Sequence, residues 1–507
     1  MLIKDFYRGK NVFITGGTGF LGKVLIEKLL RSCPDIGNIY MLIREKKGKS
    51  IEERMTHIKS LPLFELLKNE NPENLNKIIP VKGDVREINL GLSEADRQMI
   101  IDNVNIIYHT AASVRFDDFL KDAIFINVIG TREVAKLALE LKQISIFIHV
   151  STTYCNVDKP VIEEKCYNAH AYWRDAIEIA ENCDEATLNG LTEKYIRPLP
   201  NTYTFAKSLA ENVVDEMCRG KIPVLIMRPS VVIATLKEPM VGWIDNLNGP
   251  VGLLVAGGKG ILRIVYGVPS SYTDYIPVDI VTKFLIAASR DFHNKINKDK
   301  IEVFNMCQGK LCDMNIGEII EMGSELRAKH PFSKILWYPR FSMTSSWLYY
   351  YINVLLFHML PAFFIDVLLR ITGAKPMLFS IQRKIYIANV ILMPFMSNTW
   401  CFKNEEVLKI LERLLPEEQE VFADIKFVLS NKEKFDYFRL SKIGSAKYVL
   451  KEDFDESDAP KRNLKRLWYL DIGVKTIFFA FLFWSLIIRI NLLGLIYDKL
   501  YNYIDEL

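Results

Sequence analysis

A glycine-rich turn near the start of the chain constrains the fold more than any other stretch. It follows the short apolar run Val12 to Ile14 and precedes apolar residues at helical spacing. Glycines at these intervals permit a tight turn out of a strand, a close approach to a pyrophosphate and close packing of the next helix. The helix would direct its N-terminal amides at phosphates, so we predict a dinucleotide-binding turn. The predicted phosphate-binding residues are Thr15, Gly16, Gly17, Thr18, Gly19, Phe20, Leu21 and Gly22.

Charge and cysteine content narrow the class of protein. The chain has 507 residues, 50% of them hydrophobic, and a formal net charge of +4. That charge is small for the length and forms no basic block in the predicted folded part, which argues against nucleic acid as a partner. The eight cysteines form no CxxC pair, and Cys307 and Cys312 lack a second pair of ligands. We therefore predict reduced thiols in a cytosol-facing domain and no metal site.

The end of the second predicted strand indicates which nicotinamide cofactor binds. The apolar run Asn38 to Ile43 leads into Arg44-Glu45-Lys46-Lys47. A site for NAD usually places an acidic residue here to accept the ribose hydroxyls, whereas cationic side chains suit the 2′-phosphate of NADP. Arg44 and Lys47 therefore favour NADPH. The alternative is a solvated charged loop.

Later strand ends supply the remaining candidate cofactor contacts. Asp84 follows the third predicted strand, where it would either bind the adenine amino group or close an Asx turn. Small residues after the fourth strand leave room for ribose and diphosphate, and Asn127 in the following helix would order the site. The contacts predicted at these strand ends and after the strand that ends near Met227 are Asp84, Val85, Ala111, Ala112, Asn127, Arg228, Pro229, Ser230 and Val231.

A tyrosine and a lysine one helical turn apart form the predicted catalytic pair. Tyr203 and Lys207 have the YxxxK spacing, which puts both side chains on one helix face. A nearby cation lowers the pKa of a phenol, so Tyr203 could protonate a carbonyl oxygen as hydride arrives, while Lys207 also reaches the nicotinamide ribose. A hydroxyl from Ser151, Thr152 or Thr153 would hold that oxygen.

Together these motifs resemble the extended short-chain dehydrogenase/reductases, and within them the fatty acyl-CoA reductases of insect type. The match covers most of residues 10–290 and continues in the C-terminal half around His358 to Pro361. The matching stretches are Thr15 to Arg31, Ile39 to Lys49, Asn105 to Asp117, His149 to Tyr154, Asn201 to Glu211, Ile226 to Val232, Gly242 to Arg263 and Tyr266 to Asp279.

The resemblance implies an α/β fold with a Rossmann-type doubly wound parallel sheet, followed by a mostly helical C-terminal domain and a C-terminal membrane segment. It implies reduction of long-chain acyl-CoA through a bound aldehyde to a fatty alcohol for wax or ether lipid, with two NADPH and release of CoA. By motif position the catalytic set is Thr152, Tyr203 and Lys207, although Ser151 or Thr153 could supply the hydroxyl. A sterol or sugar-nucleotide dehydrogenase or epimerase, or a non-catalytic nucleotide-binding membrane protein, would share the fold.

The substrate side is expected in two segments of the N-terminal part, about residues 155–200 and 235–290. Lys259 and Arg263 could pair with CoA phosphates; otherwise they are surface charges beside a glycine turn. Cys155 is the one candidate by position for an acyl-enzyme nucleophile, and the predicted chemistry needs none.

Domain boundaries and membrane segments follow from the change in composition past residue 290. We predict a catalytic domain over residues 1–290, a connecting segment over 291–340, a helical domain over 341–455 and a membrane anchor over 474–497. No Asp, Glu, Lys or Arg occurs from Phe341 to Ile365, which would lie in or on the membrane. The basic residues just before the last apolar run favour a cytosolic catalytic domain. The endoplasmic reticulum and the peroxisome both suit a tail-anchored lipid enzyme, and we expect the endoplasmic reticulum first. Membrane lipid is therefore a predicted partner.

Overall fold

A parallel β-sheet forms the centre of the molecule. The computed structural model describes residues 1–46, 48–309, 314–422, 430–454, 457–489 and 494. The strands in these ranges are β1 Asn11–Thr15, β2 Ile39–Ile43, β3 Ile78–Lys82, β4 Val104–His109, β5 Ile146–Val150, β6 Val161–Ile162, β7 Val224–Pro229, β8 Val231–Ile233, β9 Ile264–Tyr266, β10 Tyr275–Pro277, β11 Glu302–Met306, β12 Ser342–Thr344 and β13 Cys401–Phe402.

Seven of these strands pair in the order β11-β7-β5-β4-β1-β2-β3, and every pairing is parallel. The order reverses direction between β1 and β4, where an open α/β sheet forms its ligand-binding crevice. The predicted doubly wound Rossmann-type sheet is confirmed.

Helices cover both faces of the sheet. In the N-terminal part they are α1 Ile3–Tyr7, α2 Phe20–Ser32, α3 Ile51–Lys59, α4 Glu65–Glu70, α5 Glu94–Asn103, α6 Leu120–Ala123, α7 Gly130–Glu140, α8 Trp173–Asn182, α9 Glu185–Tyr195, α10 Thr202–Cys218, α11 Pro250–Gly258 and α12 Val278–Phe292. In the C-terminal part they are α13 Ile316–Lys329, α14 Trp347–Val354, α15 Leu360–Ile371, α16 Leu378–Ser397, α17 Glu405–Glu412, α18 Pro416–Phe422, α19 Asn431–Gly444 and α20 Ala459–Arg489.

The alternation of side chains along β1 shows how the two layers are built. Val12 and Ile14 pack into a buried cluster with α2 and α12, whereas Phe13 packs into a second cluster with α7 and α10. Successive residues of a strand point to opposite faces, so a strand that is apolar throughout is covered on both sides.

The C-terminal half is joined to the N-terminal half by strands as well as by helices. β13 pairs with β6, and β12 pairs with β9. Val407 and Ile410 of α17 belong to the same buried cluster as Val12. The Glu418 carboxylate accepts the backbone N–H of Ile3 at 2.5 Å. The domain boundaries at residues 290 and 341 stay predictions, and the packing across them is extensive.

Two long apolar helical stretches have the length and composition to cross a membrane. One runs through α14, a π-helical turn at Leu355–Met359 and α15; the other is α20 over Ala459–Ser485. Much of their apolar surface is exposed. In α20, buried Asp471 accepts from Trp337 Nε1 at 2.7 Å and from Lys475 Nζ at 2.7 Å. The first part of α20 is therefore docked on the protein, and its apolar part begins after Lys475; the predicted end of the anchor, past residue 489, lies outside the described residues except for Gly494.

Candidate active site

The glycine turn has the close packing that its sequence predicts. Gly16 has a φ of +76°, and a Cβ added there would lie 2.5 Å from the Ala111 backbone nitrogen. A Cβ on Gly22 would lie 2.4 Å from the Gly16 carbonyl oxygen. Gly19 precedes α2 and offers no side-chain cap, so the first amides of the helix are open to an anion. The turn thus fits a pyrophosphate, with Thr18 beside it and Leu21 packed on the core.

A chain of hydrogen bonds links this turn to the helix after β4. The Thr131 hydroxyl donates to the Asn127 carbonyl oxygen at 2.7 Å, so it must accept from His109 Nε2 at 3.0 Å. That fixes the proton on Nε2 and leaves His109 Nδ1 to accept from the Thr15 hydroxyl at 2.7 Å. Burial, aided by the charge of Lys207, lowers the pKa of His109 to about 3, which keeps the ring neutral.

Asn127 lies in a π-helical turn at Ile124–Ile129 and is buried. Its side chain accepts the backbone N–H of Ser113 at 2.9 Å and donates to the Ser113 carbonyl at 3.1 Å. It therefore holds the loop after Ala111 and Ala112, in accordance with the predicted ordering role.

The adenosine end of the predicted site is basic and exposed. The Arg44 guanidinium lies 3.8 Å from the Asp84 carboxylate, and its side chain is 61% exposed. Arg54 from α3 donates to the Arg44 carbonyl oxygen and so brings a second cation to this place. Asp84 accepts the backbone N–H of Arg86 at 3.0 Å, which is the Asx turn left open above. Lys47 lies outside the described residues.

Val85 supports the turn after β3. It packs against Gly130 at the start of α7, where an added Cβ would lie 3.1 Å from the Val85 Cβ. Its contribution to this end of the site is thus packing of the loop on the helix.

The catalytic pair lies at the start of α10. The Asn201 side chain caps this helix by accepting the Thr204 N–H at 2.9 Å. Buried Lys207 donates from Nζ to the Val150 carbonyl at 2.7 Å, at the end of β5. The Tyr203 ring stacks on Phe116 with centroids 5.5 Å apart. We call the ends of β1, β4 and β5 together with the first turns of α10 the catalytic edge.

Thr152 is the hydroxyl residue that meets Tyr203. The Thr152 side chain interacts with the Tyr203 phenol, and Thr152 also accepts the Tyr154 N–H at 3.3 Å. Ser151 Oγ lies 3.8 Å from Cys155 Sγ, and the buried Thr153 hydroxyl has no protein partner among the described residues. The geometry favours Thr152 over its two neighbours.

The pKa values at the catalytic edge differ from the simplest expectation. Burial raises the pKa of Tyr203, and the Thr152 hydrogen bond opposes that rise. Burial lowers the pKa of Lys207 to about 8, opposed by Cys155 and Glu211. The expected lowering of the phenol pKa by Lys207 is not observed, because the ammonium is directed at a backbone carbonyl and the phenol is desolvated.

Cys155 is a structural thiol. It is buried, its thiol donates to Glu211 at 3.2 Å, and it accepts from the Asn156 amide at 3.1 Å. Burial and then the charge of Glu211 raise the pKa of the thiol. A thiolate at this position is disfavoured, which argues against an acyl-enzyme intermediate on Cys155.

The Arg228 side chain is held by other groups of the protein. Its guanidinium is fully buried and donates to both oxygens of Glu211 at 2.7 and 2.6 Å. The remaining donors reach the carbonyls of Glu163 and Lys165 at 3.2 and 2.9 Å. Arg228 stays a predicted cofactor residue, although its side chain is bonded to Glu211 and to two backbone carbonyls.

The residues after Arg228 lead away from the sheet. Pro229 pairs with Met306 of β11, and the Ser230 N–H donates to the Met306 carbonyl at 2.9 Å. The Val231 N–H then donates to the Asp274 carbonyl at 3.2 Å, at the start of the β8–β10 pairing. They bring the chain from the catalytic edge to the predicted substrate side.

The two predicted CoA-binding cations are engaged elsewhere. Lys259 Nζ donates to the two Glu452 oxygens at 2.5 and 2.6 Å. Arg263 lies 3.4 Å from Asp471 of α20. Both side chains are thus paired with carboxylates from the C-terminal part, which does not support a role in binding CoA phosphates.

Three residues of the site were not anticipated from sequence. His109 bridges the glycine turn to α7, Arg54 adds charge beside Arg44, and Phe116 stacks on Tyr203. Each makes its contact with a residue distant in sequence. A histidine at the end of an apolar strand was the one local signal available for His109.

Comparison with protein families and relatives places this geometry in context. A family model described as male sterility protein matches residues 14–285, and another of the same description matches residues 357–452. Fatty acyl-CoA reductase 1 of Homo sapiens is 38% identical over 488 residues, which cover 96% of this chain and 93% of the relative. Fatty acyl-CoA reductase wat of Drosophila melanogaster is 38% identical over 95% of this chain and 92% of its own length.

Solved structures agree on the fold. The terminal R domain from the myxalamid PKS-NRPS biosynthetic pathway aligns with a TM-score of 0.56 at 20% identity, over 87% of this chain and 92% of that chain. The reductase domain of a nonribosomal peptide synthetase from Mycobacterium tuberculosis aligns with a TM-score of 0.52 at 17% identity, over 91% and 93%.

Proposed function

The chain belongs to the fatty acyl-CoA reductase family, and from that premise we propose that it reduces a long-chain acyl-CoA to the primary alcohol, with two NADPH and release of CoA. It is an oxidoreductase that uses a nicotinamide cofactor. The observation that carries the finer proposal is the contact of Tyr203 with Thr152 at the catalytic edge, one helical turn from Lys207.

The residues at the catalytic edge have separate roles in the proposed reduction. NADPH, when bound, supplies a hydride to the carbonyl carbon in each of the two reductions. The Tyr203 hydroxyl donates a proton to the carbonyl oxygen, and the Thr152 hydroxyl holds that oxygen. Proton donation to the thioester oxygen gives a hemithioacetal, whose carbon–sulfur bond breaks to leave the aldehyde and the CoA thiol. Tyr203, reprotonated from solvent, donates a second proton as the second hydride reaches the aldehyde carbon, which completes the alcohol.

Arg44, with Arg54 beside it, supports NADPH over NADH. Both guanidinium groups lie near the end of β2, where the ribose 2′-phosphate is expected. A phosphate dianion gains charge-assisted hydrogen bonds there that a hydroxyl cannot make.

The catalytic assay tests the proposal. Membranes bearing the protein are incubated with acyl-CoA and NADPH, and the lipids are analysed for aldehyde and alcohol. Tyr203→Phe should lower turnover by about 10²- to 10⁴-fold, the usual share of a positioned proton donor. Tyr172→Phe is the matched control, because Tyr172 is exposed on the surface. Equal activity in wild type and Tyr203→Phe, or no alcohol or aldehyde from the wild type, contradicts the proposal.

The apolar helices support a membrane-bound enzyme with its catalytic part in the cytosol. We infer one crossing by the apolar part of α20 after Lys475, with the stretch Trp347–Ile371 lying on the lipid surface, at the endoplasmic reticulum. Deleting residues 476–507 should make the protein extractable by alkaline carbonate while leaving it bound to membranes at neutral pH. Protease added from the cytosolic side should then digest the catalytic part in both forms. Protection of that part would contradict the orientation.

A further inference from the structure

A cavity that is partly open to solvent lies between β8, α11, α13 and α19. We call it the apolar cavity. Its lining is mostly aliphatic and aromatic and includes Ile233, Leu254, Ile319 and Phe438. No Asp or Glu lies among its described lining residues, so its walls suit an uncharged, apolar occupant.

Three polar side chains in the wall, Tyr437, Lys442 and Ser445, have partners in the protein. The Tyr437 hydroxyl donates to the Ala234 carbonyl at 2.7 Å. Lys442 donates to the His330 carbonyl and lies 4.5 Å from the centroid of the Phe332 ring. The Ser445 hydroxyl donates to the Ser441 carbonyl at 2.8 Å. An occupant therefore gains little from hydrogen bonding and much from burial.

The apolar cavity is continuous with the catalytic edge through packed side chains. Phe116, which stacks on Tyr203, packs in a cluster with Tyr154 and Val231. Val231 also packs in the cluster that lines the cavity, with Ile233 and Tyr275. The Tyr154 hydroxyl donates to the carbonyl of Asp274, the residue before Tyr275. The side chains packed between Tyr203 and the cavity are thus largely apolar, as the surroundings of an acyl chain must be.

We propose that the apolar cavity receives the methyl end of the fatty acyl chain and sets the length of chain that the enzyme reduces. This rests on the proposed acyl-CoA reduction at Tyr203. The C-terminal part of the chain, through α13 and α19, supplies half of the wall, so chain-length preference is a property of the assembled molecule.

Gly323 offers a way to shorten the cavity without disturbing the fold. It lies in α13 on the cavity wall, and an added Cβ would meet the Leu254 Cδ2 atom alone, at an ordinary 3.7 Å. The neighbouring wall glycines are unsuitable, since a Cβ on Gly257 or Gly258 would lie 2.8 Å from Phe341 or 2.6 Å from Phe332. A leucine at position 323 also favours the helix over glycine.

The experiment compares acyl-CoA substrates of graded length in wild type, Gly323→Leu and Gly190→Leu. Gly190 is the matched control, a helical glycine in α9 with nothing within 4 Å of an added Cβ. Gly323→Leu should lower the kcat/KM ratio of long to short substrates by about tenfold, equivalent to excluding roughly two methylene groups. Gly190→Leu should keep the wild-type ratio.

A second variant extends the test in the other direction. Ile319→Ala removes wall atoms and should shift the preference to longer chains. An unchanged length profile in both Gly323→Leu and Ile319→Ala, with wild-type turnover, would overturn the cavity proposal while leaving acyl-CoA reduction intact. A uniform loss at every length in Gly323→Leu would also overturn it. Failure of the wild type to reduce any acyl-CoA would instead remove the proposed function.

Discussion

The catalytic edge and the apolar cavity are linked by packed apolar side chains but are built from opposite kinds of side chain. At the catalytic edge buried polar groups bond to one another, as in the run from Thr15 through His109 to Thr131. In the apolar cavity the wall is almost wholly apolar and its few polar groups bond to backbone carbonyls. At the catalytic edge, therefore, the positions and protonation states of the side chains matter. In the apolar cavity, the volume open to an occupant matters.

The largest effect should come from breaking the buried ion pair behind the catalytic edge. Glu211→Ala leaves the Arg228 guanidinium buried without its bidentate partner, which typically costs about 3–5 kcal/mol of folding free energy. Thermal inactivation of the detergent-solubilised protein measures it. Glu193→Ala removes an exposed pair with Arg197 and should cost about 0–1 kcal/mol. Similar losses in both variants would show that burial does not make the Arg228 guanidinium depend on its partner.

The next largest effect is expected on cofactor binding at Arg44, beside the predicted position of the 2′-phosphate. Arg44→Ala should raise the KM for NADPH by about 10- to 100-fold, the worth of a charged hydrogen bond. The KM for NADH should stay nearly constant, because NADH has no 2′-phosphate. Arg97→Ala, at a surface pair with Glu140, serves as the control. Equal changes for the two cofactors would argue against phosphate recognition by Arg44.

A smaller effect is expected in the pH dependence of activity. It distinguishes Lys207 at the catalytic edge from Lys442 in the apolar cavity. The pKa of Lys207 is lowered to about 8 by burial, so its ammonium is lost as pH rises through that value. If the charge is needed, kcat/KM should fall about tenfold per pH unit above pH 8. Lys207→Arg keeps the charge and should move this decline to higher pH.

The control for the titration of Lys207 is Lys442, a buried lysine in the wall of the apolar cavity. Burial lowers the pKa of Lys442 to about 7. Lys442→Met should therefore keep the decline above pH 8 if that decline belongs to Lys207. Its disappearance in Lys442→Met, and its persistence in Lys207→Arg, would assign the titration to the cavity instead.

Much of the fold was predictable because its signals are local. The strands β1, β2, β4, β5 and β7 are apolar runs, as expected for parallel strands buried on both faces. The glycine turn and the Tyr203 to Lys207 spacing each lie within a few residues. The edge strand β11 of the seven-stranded sheet was not predicted. Its pairing with β7 joins residues that are far apart in sequence.

The sequence predicted where the candidate site lies better than it predicted which side chains contact one another there. Arg228 was expected at the cofactor because it ends a strand, and its pairing with Glu211 could not be read from that position. Lys259 and Arg263 were expected at CoA because they follow glycines, and their carboxylate partners come from about two hundred residues away. Such pairings depend on how distant segments meet.

The sequence by itself determined the glycine turn between β1 and α2 and the spacing of Tyr203 and Lys207 by one helical turn on α10. These properties follow from backbone freedom and helical periodicity, which act over a few residues. The tertiary structure alone decided that Thr152 meets Tyr203, that Cys155 stays a thiol and that α11, α13 and α19 enclose the apolar cavity. Burial, desolvation and enclosed volume arise only when segments distant in sequence pack together.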